Sequence, residues 1–179
     1  MAMTILLLSA IYISLDGGGS YFMSGSSLDE IVPGATPSLT PFGEARALGT
    51  YGSFGPASVV YAADFGLFRA QHDSLTLTSM PVFVQVGLLF GLPVFKPYAL
   101  VEVGAPCSWV TWPDTSFTAW GFGGGASMGA FVIFGKVGLD LMVGVDYMTV
   151  PMRPDAEDFS TGSLSGPVFR GGGGLVIAP

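Results

Sequence analysis

The chain has no asparagine, one cysteine and one histidine in 179 residues. The missing Asn excludes N-glycosylation acceptors and Asn-Gly hairpin turns. The lone Cys107 excludes an intrachain disulfide and a cysteine-based metal cluster. Charge is scarce as well: 11% of residues are Asp, Glu, Lys or Arg, against about 25% in a soluble domain. That shortfall is too large for an ordinary wetted surface. Six Lys and Arg stand against 13 Asp and Glu, for a net charge of -7. Nucleic acid needs a basic stripe, so it is excluded as a partner. Nor does the sequence hold a Lys/Arg cluster of the kind that docks on anionic lipid.

What is present is apolar. Half the residues are hydrophobic and mean hydropathy is +0.60. Yet 27 Gly and 13 Pro are scattered through the apolar regions, and both weaken a membrane-helix reading. The deciding pattern is Gly135 to Met148. Val137, Leu139, Leu141, Val143, Val145 and Tyr147 occupy alternate positions. Lys136, Gly138, Asp140, Met142, Gly144 and Asp146 fill the positions between them. A period of two is a strand with two unlike faces. On a helix the three charges would be scattered around the circumference.

The same alternation recurs. Residues 38–51, 57–69, 75–91, 97–109, 117–134, 135–148 and 164–177 read as strands. Residues 1–15 alternate weakly and read as a first strand rather than an uncleaved leader, a leader then lying upstream in a native precursor. That makes eight strands and one domain over 1–179. The connections alternate long and short. The stretches at about 17–37, 70–74, 110–116 and 149–163 are expected on the outer side of a membrane, with tight turns on the other. The chain length per strand exceeds the 9–11 residues, roughly, that a tilted strand needs to cross a bilayer.

Two belts of aromatics support a membrane. Tyr51, Phe54, Phe90, Phe95 and Phe134 lie near the short turns. Trp109, Trp112, Trp120, Tyr147 and Phe159 lie near the long connections. Amphipathic rings settle at headgroup depth. The lipid-facing set is then Val82, Val84, Val86, Val137, Leu139, Leu141, Val143 and Val145. The opposite face gathers Glu44, Arg46, Asp64, Glu102, Lys136, Asp140, Asp146 and Arg170. Charges in a low-dielectric interior are costly unless paired, so these eight are expected to meet in the lumen as an ion-pair network. Gly121, Gly123, Gly125 and Gly129 would make room for larger lumen side chains such as Tyr98, Phe83 or Arg170.

Candidate chemistry is thin. His72-Asp73-Ser74 superficially offers a triad, but immediate neighbours at a strand end point in different directions. Gly121 to Ala126 fits G-x-G-x-x-A without the βαβ unit that motif requires. Gly129 to Lys136 has the wrong spacing for a phosphate-binding loop. Asp155, Glu157 and Asp158 read as a solvated loop. No catalytic residue, metal ligand or cofactor is expected.

Three runs carry a family resemblance: K-P-Y-A-L-V-E-V-G-A at 96–105, W-G-F-G-G-G-A-S-M-G-A at 120–130, and G-K-V-G-L-D-L-M-V-G-V-D-Y at 135–147. Together they resemble small eight-stranded outer-membrane β-barrels of the OmpA-barrel and OmpX/OmpW kind. The resemblance covers 77–150 well and 38–70 loosely. It implies an all-β, antiparallel, up-and-down transmembrane barrel in a bacterial outer membrane. Such barrels usually finish on an aromatic residue, whereas this sequence closes Leu175-Val176-Ile177-Ala178-Pro179.

The function expected is a non-enzymatic scaffold with a plugged, charge-networked lumen, acting in structure or surface interaction. Its partners would be membrane lipid and other envelope proteins or subunits of a larger assembly. Alternatives are a narrow pore or small hydrophobic-solute channel, a soluble lipocalin-like binding barrel, and a helical membrane protein spanning 80–110 and 117–145.

Overall fold

A computed structural model describes residues 10–22, 39–72, 75–112, 115–151 and 163–179. Its strands are β1 (Ala10–Phe22), β2 (Leu39–Phe54), β3 (Ala57–His72), β4 (Leu75–Phe90), β5 (Phe95–Trp112), β6 (Thr115–Trp120), β7 (Phe122–Phe134), β8 (Val137–Pro151) and β9 (Ser163–Ile177). Among the described residues none is helical, so the helical-membrane alternative falls.

Every neighbour pairing is antiparallel, and β1 pairs with both β2 and β9. The β4–β5 pairing joins the two halves, so the sheet closes on itself. β6 and β7 are one wall. Cys107 pairs with Trp120 and Gly104 with Gly123, which is a single unbroken register. The interruption is at Gly121, whose N–H donates to the Pro106 carbonyl at 2.8 Å. The result is an eight-stranded up-and-down barrel, in which the short β6 pairs with β5 alone.

Three tight reversals close one end. Gly55-Pro56 joins β2 to β3, residues 91–94 join β4 to β5, and Gly135-Lys136 joins β7 to β8. Gly135 sits at φ 74°, a conformation that glycine adopts without the steric cost a Cβ brings. Gly52, at φ 63°, marks a register shift between Tyr51 and Ser53 in β2. Strand therefore continues to Phe54, and the reversal is shorter than the 52–56 turn expected.

Several strands run longer than expected. β1 continues through Asp16-Gly17-Gly18-Gly19 to Phe22 instead of giving way to a loop at residue 16. Its alternation simply persists: Ser14, Asp16, Ser20 and Phe22 are all buried. Gly18 lies against β9, where a Cβ would come within 2.6 Å of the Gly172 Cα. The glycines there serve close strand approach rather than a turn. Residues 70–72, 110–112, 115–116 and 149–151 are likewise strand. What is left of the long connections, and residues 1–9, lies outside the described residues.

The faces are sorted by solvent preference in reverse. Val82, Val84, Val86, Val137, Leu139, Leu141, Val143 and Val145 all point outward and are exposed. Leu139 is 47% exposed while its neighbour Asp140 is 0% exposed. A soluble lipocalin-like barrel needs the opposite arrangement, so that alternative is corrected. An apolar outer band around a polar interior is the arrangement of a transmembrane β-barrel. Tyr51, Phe54, Phe90, Phe95 and Phe134 are exposed at the short-turn end, and Trp109, Trp120 and Tyr147 towards the other. The Phe159 position and the Trp112 side chain lie outside what is described.

Candidate functional site: the charged lumen

The lumen is stacked in three layers. Tyr12, Leu48, Val60, Leu89, Leu100, Phe131 and Val176 form an apolar layer towards the short turns. Phe22, Phe42, Phe68, Leu77, Val110, Val150, Leu164 and Val168 form another towards the far end. Between them lie the ionisable side chains. Sequence alternation pointed to a small and polar inner face with some large apolar residues on it, and it did not show that these gather into two separate apolar layers. Their residues stand at inward positions of the same strands, but their meeting across the barrel depends on strand stagger. Only the register shows that.

Arg46 is the hub of one half. Its Nε donates to Glu44 Oε1 at 3.0 Å and its Nη1 to Tyr98 Oη at 2.8 Å. Tyr98 Oη donates in turn to Asp140 Oδ1 at 2.8 Å. Asp140 Oδ2 is 3.7 Å from Arg46 Nη1, and the guanidinium lies 5.4 Å from the Tyr98 ring centroid. The Tyr98 ring packs on Phe131 with centroids 4.9 Å apart, which ties the charged layer to the apolar layer beside it.

Arg170 is the hub of the other half. Its Nε donates to Asp146 Oδ2 at 2.7 Å. Its two terminal nitrogens donate to Glu44 Oε2 and Glu102 Oε1. Gln85 Nε2 donates to Glu102 Oε2 at 2.6 Å and also to Asp64 Oδ2. Glu44 therefore joins both guanidiniums, one on each carboxylate oxygen. Ser14 Oγ donates to Asp16 Oδ2 at 2.8 Å. Asp16 is a lumen acid that lay in a stretch read from sequence as loop.

Glycine makes the space. A Cβ on Gly129 would come within 2.6 Å of Tyr98 Cζ. One on Gly123 would come within 3.3 Å of Phe83 Cε1. The Phe83 ring is 5.9 Å from the Arg170 guanidinium.

Seven of the eight residues assigned to the lumen from sequence lie inside and belong to this layer: Glu44, Arg46, Asp64, Glu102, Asp140, Asp146 and Arg170. Lys136 is not with them. It is exposed in the turn after Gly135, because the strand ends one residue before the alternation would carry it inward. His72 ends β3, and its side chain, like Asp73 and Ser74, lies outside what is described. Among the described residues no group of three or more His, Cys, Asp or Glu is placed to hold a metal ion.

Among the described residues the lumen thus holds six carboxyls, Asp16, Glu44, Asp64, Glu102, Asp140 and Asp146, against two guanidiniums. Asp16 Oδ1, Asp64 Oδ1 and Asp146 Oδ1 are buried without a hydrogen-bond partner among the described residues. Such an arrangement can hold the barrel's walls together.

Fold and lumen together define a small, closed, eight-stranded antiparallel barrel with an apolar outer face. No protein-family model matches the chain, and no curated protein matches it. Among solved structures, the chain is similar to Neisserial surface protein A, NspA, at 12% identity over 94% of this chain and 98% of that one, with a TM-score of 0.70. It also aligns with OprG from Pseudomonas aeruginosa (10% identity, 96% and 97% covered, TM-score 0.48). The attachment invasion locus protein Ail of Yersinia pestis aligns at 13% identity, with 96% and 100% covered and a TM-score of 0.46. The NspA likeness carries the fold and, at that identity, nothing about residue roles.

Proposed function

We propose that this protein is a bacterial outer-membrane barrel that works as a closed scaffold. It performs no catalysis. It holds the segments between its strands at the membrane surface, where they meet other envelope components. The observation that carries this reading is the layered lumen. Val60, Phe131 and Val176 are almost fully buried on one side of the charges, and Val110, Val150 and Val168 on the other. A hydrated ion would shed its water to pass either layer, at a cost of many kcal/mol. The outer-membrane location is supported by the strand-only crossing and the outward apolar band. The fold match is to a protein whose name describes it as a surface protein.

Planar-bilayer recording tests the scaffold. The reconstituted protein should give no steady current. A stable ohmic conductance would overturn the closed lumen. It would favour the second reading, a narrow cation path, which the excess of six carboxyls over two guanidiniums supports.

A further inference from the structure

Two rows of the wall set an acid, a glycine and an acid side by side on three adjacent strands. In the first, Glu102 of β5 pairs with Gly125 of β7, and Gly125 pairs with Asp146 of β8. In the second, Asp16 of β1 pairs with Gly174 of β9, and Gly174 pairs with Asp140 of β8. All four acids are buried in the lumen. At the backbone the acids of a row stand two strand spacings apart, about 10 Å, and the glycine between them contributes no side chain. The carboxyls lean together over it. A Cβ on Gly125 would collide with Asp146 Oδ1, and one on Gly174 would come within 2.7 Å of the Asp16 Cα. Within each row the two carboxyls come within hydrogen-bonding reach of one another.

The rows differ in what neutralises them. Arg170 clamps the first, with Nε donating to Asp146 at 2.7 Å and a terminal nitrogen donating to Glu102. Among the described residues no guanidinium donates to either acid of the second. Asp16 Oδ2 accepts from the Ser14 hydroxyl at 2.8 Å, and Asp140 Oδ1 from the Tyr98 hydroxyl at 2.8 Å. Both donors are neutral. Arg46 Nη1 comes to 3.7 Å from Asp140 Oδ2, but its hydrogen bond goes to Tyr98 Oη. The remaining oxygens, Asp16 Oδ1 and Asp140 Oδ2, are buried with no hydrogen-bond partner among the described residues. Glu44 extends the same row beside Asp16, and its two oxygens are taken by Arg46 and Arg170. The titratable groups that face the pair are therefore Glu44 and Arg46 of β2 and Tyr98 of β5. Tyr12 of β1 joins them through its stacking on Phe131, which pairs with Asp140.

We propose that Asp16 and Asp140 hold one proton between them, and that closing the barrel where β1 meets β9 takes this proton up. Two carboxylates in contact, out of water and with no cation bonded to either, repel strongly unless one of them keeps its proton. The hydrogen then runs from one orphaned oxygen to the other and satisfies both. A metal ion suits the place less well. It asks for more ligands than two carboxyls supply, and among the described residues no group of three or more candidate ligands is placed to hold one. The sign of the pH dependence follows. Aspartates in the unfolded chain ionise above about pH 4, whereas the folded pair retains its proton there. The folded barrel then carries one proton more than the unfolded chain. This contribution to stability is fully present below about pH 4 and is lost as pH rises through the titration of the folded pair. The inference goes beyond the scaffold role and does not depend on it.

The test is equilibrium unfolding of the full chain in lipid vesicles over about pH 5 to 7. Asp16→Asn puts an amide N–H where the shared hydrogen was and has nothing to take up. The wild-type unfolding constant should therefore grow with pH about tenfold more per unit than that of Asp16→Asn, the signature of one proton. Asp140→Asn should lose the same single proton. So should the double variant, because one proton serves both groups. Asp146→Asn, in the row that Arg170 clamps, should keep the wild-type slope. Infrared spectra of the folded proteins at neutral pH give a second reading that needs no unfolding. The carbonyl stretch of a protonated carboxylic acid should weaken by the same amount in the two single variants and the double. An equal pH slope and an equal infrared band in wild type and Asp16→Asn overturn the shared proton. A double variant that loses two protons overturns it as well, since the acids then titrate independently. Stability that follows sodium at constant ionic strength, in place of pH, assigns the pair to a metal ion and overturns it too.

Discussion

Glu44 and Arg170 are 126 positions apart in the chain and meet at the centre of the barrel, where the guanidinium donates to Glu44 Oε2. The other oxygen of the same carboxylate accepts from Arg46. Removing Glu44 therefore strips a partner from both lumen cations at once. Glu44→Ala should cost about 3 kcal/mol, the lower part of the range for breaking a buried ion pair, because each guanidinium keeps a second carboxylate. Glu44→Gln retains the shape and an acceptor and should cost less. Equilibrium unfolding in guanidinium chloride, with the barrel in lipid vesicles, measures both. An unchanged midpoint in Glu44→Ala would show that the network contributes nothing to stability.

The lumen carboxyls are not equivalent. Asp146 accepts from Arg170 Nε at 2.7 Å, whereas Asp64 is held by the neutral Gln85. A buried carboxylate bonded only to a neutral amide keeps most of its desolvation cost. Asp64→Asn, whose side-chain oxygen still accepts from Gln85, should stabilise by about 1 kcal/mol. Asp146→Asn should destabilise by about 3 kcal/mol, since it leaves Arg170 short of an anion. The opposite signs are the result to look for in the same unfolding assay. Two losses of equal size would mean that the excess of acid is not a burden on the fold.

Tyr98 and Gly129 are a matched pair across β5 and β7. The ring lies over the glycine so that its hydroxyl bridges Arg46 and Asp140. Gly129→Ala places a methyl within 2.6 Å of Tyr98 Cζ, and should cost about 1–3 kcal/mol as overpacking. Tyr98→Phe keeps the ring and loses the hydroxyl, for about 1–3 kcal/mol from unsatisfied buried partners. Because both substitutions disturb one bridge, their combined cost should fall short of additivity. A double-mutant cycle that adds fully would separate the glycine's role from the bridge.

How far the sequence could be read follows from which quantities are local. The alternation of Val137 to Tyr147 and of Val82 to Val86 gave the outward face, since a strand's period needs no partner to be recognised. The same rule placed Arg46 and Asp140 inside. It failed at Lys136 because one residue past a strand end the period no longer governs direction. It also stopped β1 too early, because Gly17-Gly18-Gly19 carries a turn's composition. Those residues are strand only in the presence of Gly171 and Gly172 on the facing β9. The stacking of Tyr12 on Phe131, with centroids 5.3 Å apart, joins strands that neither pair nor neighbour in sequence. No periodicity reports such a contact.

The outer face gives the sharpest physical test, because the same substitution should matter by depth rather than by exposure. Leu141 and Val137 are both exposed, at 56% and 53%, on one face of β8. In a protein surrounded by water, arginine at either position would change stability little. In a bilayer, Leu141→Arg sits four residues deeper than Val137→Arg, which lies beside the turn. An arginine near the midplane costs about 2–4 kcal/mol, and one near the interface about 0–1 kcal/mol, since the shallow side chain reaches the headgroups. Unfolding from vesicles should therefore separate the two variants by about 2 kcal/mol. Equal costs would contradict a membrane around this wall, whatever the lumen contains.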